Sequence, residues 1–159
     1  MNEPSPRGAT TLVSRIIKAP RSDVYRAFLD ADAVVKWLPP ESMTGRVHAF
    51  EPQVGGRFSM SLTYQDPKHS PAGKTSEDTD TFRGRFVELV PDEKVVWAVE
   101  FESNDAAFAG EMKVAFTLTD ADGGTKVAVL CEDIPPGIRP EDNEAGCRST
   151  LENLARLLE

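Results

Sequence analysis

The last twenty residues constrain the fold more than any other stretch of this 159-residue chain. Residues 140–159 read PEDNEAGCRSTLENLARLLE, and Cys147, Leu151, Leu154 and Leu158 recur at i, i+4, i+7 and i+11, one apolar stripe of an α-helix. Arg148, Ser149, Glu152, Asn153 and Arg156 take the opposite side, where Arg148–Glu152 and Glu152–Arg156 are i,i+4 pairs of small individual worth. Pro140 suits the first helical position, and Glu141, Asp142 and Glu144 put negative charge at the positive end of the helix dipole. Arg139 is a poor N-cap. An isolated amphipathic helix of this length is marginal in water. Nearly everything before it reads as strand, so the helix must lie on a sheet and serve as its cover.

Taken in order, residues 10–18 (TTLVSRIIK) form a first strand rich in β-branched side chains, ended by Ala19-Pro20. A helix follows over residues 22–30, with Val24, Ala27 and Phe28 on one side, and Asp32 is placed to cap a second short helix through Val35 and Trp37. Pro39-Pro40 stops it. Residues 44–50 make a strand, and PQVGG at 52–56 a turn. Residues 57–64 alternate, with Phe58, Met60, Leu62 and Tyr64 on one face and Ser59, Ser61 and Thr63 on the other. Residues 65–80 are a polar loop. Strands follow at 81–90, with Gly84 a candidate bulge, and at 94–101, with Val95, Trp97, Val99 and Phe101 on one face. After a loop at 103–110 come Met112, Val114, Phe116 and Leu118, a DADGG hairpin turn, and a last strand with Val127, Val129 and Cys131 inward. The order β-α-α-β-β-β-β-β-β-α with short turns is an antiparallel meander under one long helix. A strongly curved sheet is not filled by one helix, so a cavity between the two is expected. The organisation is one domain over 10–159 behind a disordered lead-in at 1–9.

Net charge is −8, with 18 Lys and Arg scattered among 26 acids and no basic cluster. Nucleic acids and anionic membrane surfaces both demand a cationic footprint, so neither is an expected partner. No apolar run reaches the length of a membrane span, and MNEPSPRGAT has no apolar core of a secretory signal, which makes a cytoplasmic location the default. Cys131 and Cys147 have no metal-ligand spacing and are expected to be reduced packing residues.

The segments IKAPRSDVYRAFLDADAVVKWLPP, EPQVGGRFSMSLTY, FRGRFVELVPDEKVVWAVEF and EDNEAGCRSTLENLARLLE resemble the START-like (SRPBCC) superfamily. Within it they are most similar to the group called activator of heat-shock-protein-90 ATPase homologue-like, or CalC-like. The resemblance covers nearly everything after residue 9. It implies an α+β helix-grip fold: a curved seven-stranded antiparallel sheet, two short helices and a long C-terminal helix enclosing an apolar cavity. Such sequences often carry a tryptophan where this chain has Cys147, and the smaller side chain would enlarge or reshape the cavity. The resemblance does not imply chaperone activation, because the true co-chaperones carry an additional N-terminal domain for which this chain has no room.

Chemistry is sparse. Of the two histidines, His69 lies in the polar loop and His48 in a strand, too far apart for a metal site, and no phosphate-cradling motif is present. No metal or cofactor is expected. Glu100 and Glu132 lie in strands and read as outward or rim charges, while burial in the cavity would make either a general acid or base. The expected ligand-binding set is Trp37, His48, Phe58, Met60, Tyr64, Trp97, Phe116, Cys147 and Leu151, an apolar pocket with few polar groups, with Arg57 as a rim cation. The leading function is binding of a small apolar or aromatic molecule. The alternatives are a cyclase-, aromatase- or hydrolase-like enzyme using the same cavity, and a chaperone-associated interaction protein. An isologous homodimer through a sheet edge is compatible with the sequence.

Overall fold

Period-two alternation in the middle of the chain becomes one seven-stranded sheet. The structure, a computed structural model, describes residues 9–39, 43–64, 79–103, 108 and 110–159. Its elements are β1 (Ala9–Ile17), α1 (Arg21–Phe28), α2 (Ala31–Trp37), β2 (Met43–Phe50), β3 (Arg57–Tyr64), β4 (Thr79–Val90), β5 (Lys94–Phe101), β6 (Met112–Ala121), β7 (Gly124–Ile134) and α3 (Pro140–Leu158). The strands lie in the order β1-β7-β6-β5-β4-β3-β2, every pair antiparallel. From β2 onward this is a meander. β1 adds to the free side of β7, and α1 and α2 carry the chain from that edge to the opposite one.

The inward faces are those the alternation predicts. Val95, Trp97 and Val99 of β5, Met112, Val114, Phe116 and Leu118 of β6, and Val127, Val129 and Cys131 of β7 are all buried. α3 lies over them with Leu151 and Leu154 fully buried, so the helix-grip arrangement is the observed one. β5 departs from simple alternation: Val96 and Ala98, on its outer face, are buried too. Ala98 stands between Arg85 and Lys113, and Val96 between Glu88 and Ala115. Long charged side chains flank small apolar ones there, and their stems cover the surface. Arg85–Glu111 at 2.6 Å and Lys94–Glu88 at 3.3 Å hold such stems in place.

Several local expectations change. The cap of α2 is Asp30, whose carboxylate accepts from the Asp32 N–H at 3.0 Å. Asp32 instead lies in the first turn, where its charge suits the helix dipole. The irregularity in β4 falls between Phe86 and Glu88, not at Gly84. Gly84 is needed for another reason: a Cβ there would lie 2.2 Å from the Ala98 carbonyl oxygen. Thr79 and Asp80, read as loop, begin β4 because they pair with Thr63 and Leu62, while residues 65–78 lie outside the described residues. Asn153, read as part of the polar side of α3, is half-buried and donates to the Pro39 carbonyl at 2.8 Å. With Thr150 donating to the Leu38 carbonyl at 2.9 Å, it bolts α3 to the end of α2.

The concave face is unevenly filled. At one end Phe28, Trp37, Phe58, Phe86, Trp97 and Phe116 form a cluster of interlocking rings, with Phe28–Trp37 and Phe28–Phe116 centroids both 4.7 Å apart in edge-to-face geometry. Trp37 Nε1 donates to the Ala27 carbonyl at 2.9 Å and joins α2 to α1. The other end is open.

Candidate functional site

That open end is a cavity of about 560 Å³ between the sheet and the first half of α3. Its size lies within the range of small-molecule sites, and its wall is mostly apolar, as such sites are. β3 to β7 contribute the floor, including Leu62, Phe82, Val99, Met112 and Val114. Gly137, Ile138, Ala145 and Gly146 supply the opposite side, and Gly137 and Ala145 are exposed, so the mouth lies where α3 begins. Gly146 sits on the helix with nothing within 4 Å of the position a Cβ would take.

Trp97, Phe116 and Cys147 of the expected set stand on this wall. Trp37, Phe58, Met60 and Leu151 do not: each is fully buried in the solid part of the core. Strand alternation gives the face for Phe58 and Met60, and helical spacing gives it for Leu151, but neither gives position along the groove; Trp37 and Phe58 belong to the ring cluster at the closed end. His48 is corrected outright. It is exposed and its Nε2 meets Ser61 Oγ at 2.7 Å on the outer face. A bulge between Val47 and Ala49 absorbs His48 and lets both Val47 and Phe50 pack inward. Tyr64 ends β3, and its side chain lies outside the described residues, as does all of His69. Arg57 is not a rim cation, because its guanidinium faces Glu51 at 3.4 Å. Glu100 and Glu132 point outward to Arg83 at 3.4 Å and Lys113 at 3.9 Å.

The most informative residue missed by sequence reasoning is Asp80, 4% exposed and part of the cavity wall. Its signal is the inward register Asp80, Phe82, Gly84, Phe86 along β4, which begins with a charge and so reads as loop. Asn143 also lines the cavity and accepts a hydrogen bond from the Thr11 hydroxyl, tying the start of α3 to β1.

Two thiols stand on the wall beside these polar groups. Cys131 on β7 and Cys147 on α3 are both free, with sulfurs 3.9 Å apart. Cys147 Sγ is also 3.8 Å from Asn143 Oδ1. The contact with Cys147 holds the Cys131 thiol below its ordinary range, against the opposing effect of burial. The same contact, together with burial, pushes the Cys147 thiol up. Ionisation of the pair therefore falls on Cys131. Among the described residues, no group of three or more His, Cys, Asp or Glu is placed to hold a metal, and no helix is long and apolar enough to cross a membrane.

Comparison with known proteins agrees with this architecture. Residues 18–159 match the family described as Activator of Hsp90 ATPase homolog 1-like protein. The crystal structure of protein CV1439 from Chromobacterium violaceum is 35% identical, with 94% of this chain and 96% of that one covered at a TM-score of 0.82. Protein Ms6760 from Mycobacterium smegmatis is 16% identical, with 98% and 93% covered and a TM-score of 0.72. An AHSA1-like protein from Aeromonas hydrophila is 18% identical, with 93% and 90% covered and a TM-score of 0.70. At those two lower identities the likeness is one of fold. No functionally curated protein matches the chain.

Proposed function

This chain belongs to the Activator of Hsp90 ATPase homolog 1-like family, and from the cavity its version of the fold encloses we propose that it binds a small apolar or aromatic molecule between the sheet and α3. The observation that carries this reading is the open end of the groove, about 560 Å³ bounded by Leu62, Phe82, Val99, Phe101, Met112 and Val114. Leaving so much apolar surface uncovered forgoes contact energy that a filled core would gain, and a ligand of matching shape restores it. The mouth beside Ala145 and Gly146 supplies the entry. A ligand with one polar group would be oriented by Asp80, the carboxylate buried in the wall.

Titration with the fluorescent probe anilinonaphthalene sulfonate tests the reading. Saturable binding at one site is expected, weakened tenfold or more by Ala145→Trp, whose indole would occupy the mouth (about 1.4 kcal/mol or more of lost binding). No saturable binding, or equal binding by the variant, would refute it. Native mass spectrometry of protein from its own host then identifies the class of the natural ligand.

Asp80 also favours a second reading, in which the bound molecule reacts. A carboxylate on the cavity wall stands within reach of a bound molecule, the placement a general acid or base requires. Under that reading Asp80→Asn abolishes turnover of a bound substrate while probe affinity stays within a few-fold. Retained turnover would exclude a role for Asp80 in the chemistry.

A further inference from the structure

The paired thiols are not explained by ligand binding. We propose that Cys131 and Cys147 are a modification site on the cavity wall, a dithiol that closes to an intramolecular disulfide on reaction with hydroperoxides small enough to enter the cavity. Three observations carry this. The sulfurs face each other at 3.9 Å, across the seam between sheet and helix. Both residues line the cavity, so a solute in it reaches Cys131 even though that residue is 2% exposed. And the helix around Cys147 can yield. The bonds that fix α3 to the rest of the fold, Thr150 to Leu38 and Asn153 to Pro39, and its fully buried side chains Leu151 and Leu154, all lie C-terminal to Cys147. The Asn143–Thr11 bond ties the preceding turns to β1. A disulfide needs sulfurs about 2.05 Å apart, and side-chain rotation with a small shift of this half of the helix supplies the approach.

The chemistry balances without a cofactor. The Cys131 thiolate attacks the near oxygen of the hydroperoxide; the S–O bond forms, the O–O bond breaks, and the far oxygen leaves as water or an alcohol with a proton. Cys147 sulfur then attacks the sulfenic sulfur of Cys131. The S–S bond forms, the S–O bond breaks, and water departs with the Cys147 proton. Each sulfur gives up one electron and the peroxide is reduced by two. The order follows the direction in which the contact moves the two thiols: Cys131, the more readily ionised, attacks first, and Cys147 keeps its proton until the second step. The product ties α3 to β7 beside the mouth and so fixes the shape of the opening.

The chain has only these two cysteines, which makes the test complete. Reduced protein, freed of reductant, is exposed to a small excess of hydrogen peroxide, then denatured and treated with iodoacetamide. The expected product is a single chain lighter by two hydrogens, unalkylated, yielding one proteolytic peptide pair joined through Cys131 and Cys147. Both thiols remaining alkylatable, oxygen added stepwise without a cross-link, or a cross-link only between chains would each overturn the proposal. In Cys147→Ser, dimedone is expected to trap Cys131, whereas Cys131→Ser, or Cys131→Ala if the serine variant does not fold, should leave Cys147 untrapped. Trapping at Cys147 in place of Cys131 would overturn the assigned order.

Discussion

Trp37 and Trp97 provide a matched pair on which the energetics of the closed end can be tested. They belong to one ring cluster, with centroids 6.5 Å apart and planes inclined by 20°. They are 0% and 2% exposed. Replacing either by phenylalanine deletes the same atoms, so the transfer contributions are alike, and the packing loss is the smaller at Trp97, which faces the cavity on one side. The hydrogen bonding does not cancel. Trp37 Nε1 donates to the Ala27 carbonyl, whereas Trp97 Nε1 is buried and meets no partner among the described residues. Trp37→Phe removes a donor from a buried carbonyl, at about 1–3 kcal/mol. Trp97→Phe removes a polar group whose desolvation was never compensated, which offsets part of its packing loss by a similar amount. Trp37→Phe should therefore be less stable than Trp97→Phe by at least about 2 kcal/mol. With a urea m-value near 2 kcal/mol/M, that separates the midpoints by about 1 M. Urea titrations followed by far-ultraviolet circular dichroism, at one pH and temperature, measure it without relying on tryptophan fluorescence. Coincident midpoints, or a lower midpoint for Trp97→Phe, would refute the assignment of hydrogen-bond energy in this cluster.

Three further changes probe the helix, the sheet and the surface. Gly146→Ala should raise the urea midpoint by an amount equivalent to about 0.5–1 kcal/mol, because alanine is the better helix former and its Cβ meets nothing within 4 Å; a destabilised variant would show that the mouth is narrower than described. Gly84→Ala should cost about 1–3 kcal/mol or more, since the new Cβ lies 2.2 Å from the Ala98 carbonyl and β4 and β5 must part to admit it; a neutral result in thermal unfolding would contradict the close approach. Glu51 is held below its ordinary value of 4.5, chiefly by the Arg57 backbone N–H, which donates to it at 2.9 Å, and then by the Arg57 side chain. A depressed folded-state pKa stabilises above the unfolded value, and the contribution is lost as pH falls through the folded one. Glu51→Gln should thus flatten the decline of the urea midpoint below about pH 4.5, and an unchanged slope would remove Glu51 from the acid-sensitive set.

What the sequence reveals here is what local periodicity encodes. The inward sets Val95-Trp97-Val99, Met112-Val114-Phe116-Leu118 and Val127-Val129-Cys131 are legible because successive strand residues face opposite ways. The Leu151–Leu154 stripe is legible for the corresponding helical reason. Depth along the groove is not local: Phe58 and Phe116 have the same pattern, yet one is sealed among Phe50, Phe82, Phe86 and Trp97 while the other reaches the cavity. Nor does a pattern reveal a bulge such as that at His48, which resets the face for Phe50. Asn153 shows the same limit on a helix. Its partner, the Pro39 carbonyl, is 114 residues away, and no spacing rule within α3 announces it. Asp80 and the Cys131–Cys147 contact likewise exist only once β4, β7 and α3 are assembled.

Filling one end of the groove and leaving the other open separates two kinds of evolutionary constraint. At the closed end each ring touches several others, so almost any substitution creates a void or a clash and is removed by selection on stability. On the open wall, Leu62, Val99 and Met112 face empty space on one side, and exchanging them alters the outline of the cavity at a smaller cost in folding free energy. Descendants of this chain can therefore change the shape of the cavity while the scaffold stays put. A lineage built this way diversifies by redrawing a few contours at the mouth and floor, and overall sequence divergence among its members need not track divergence in cavity shape.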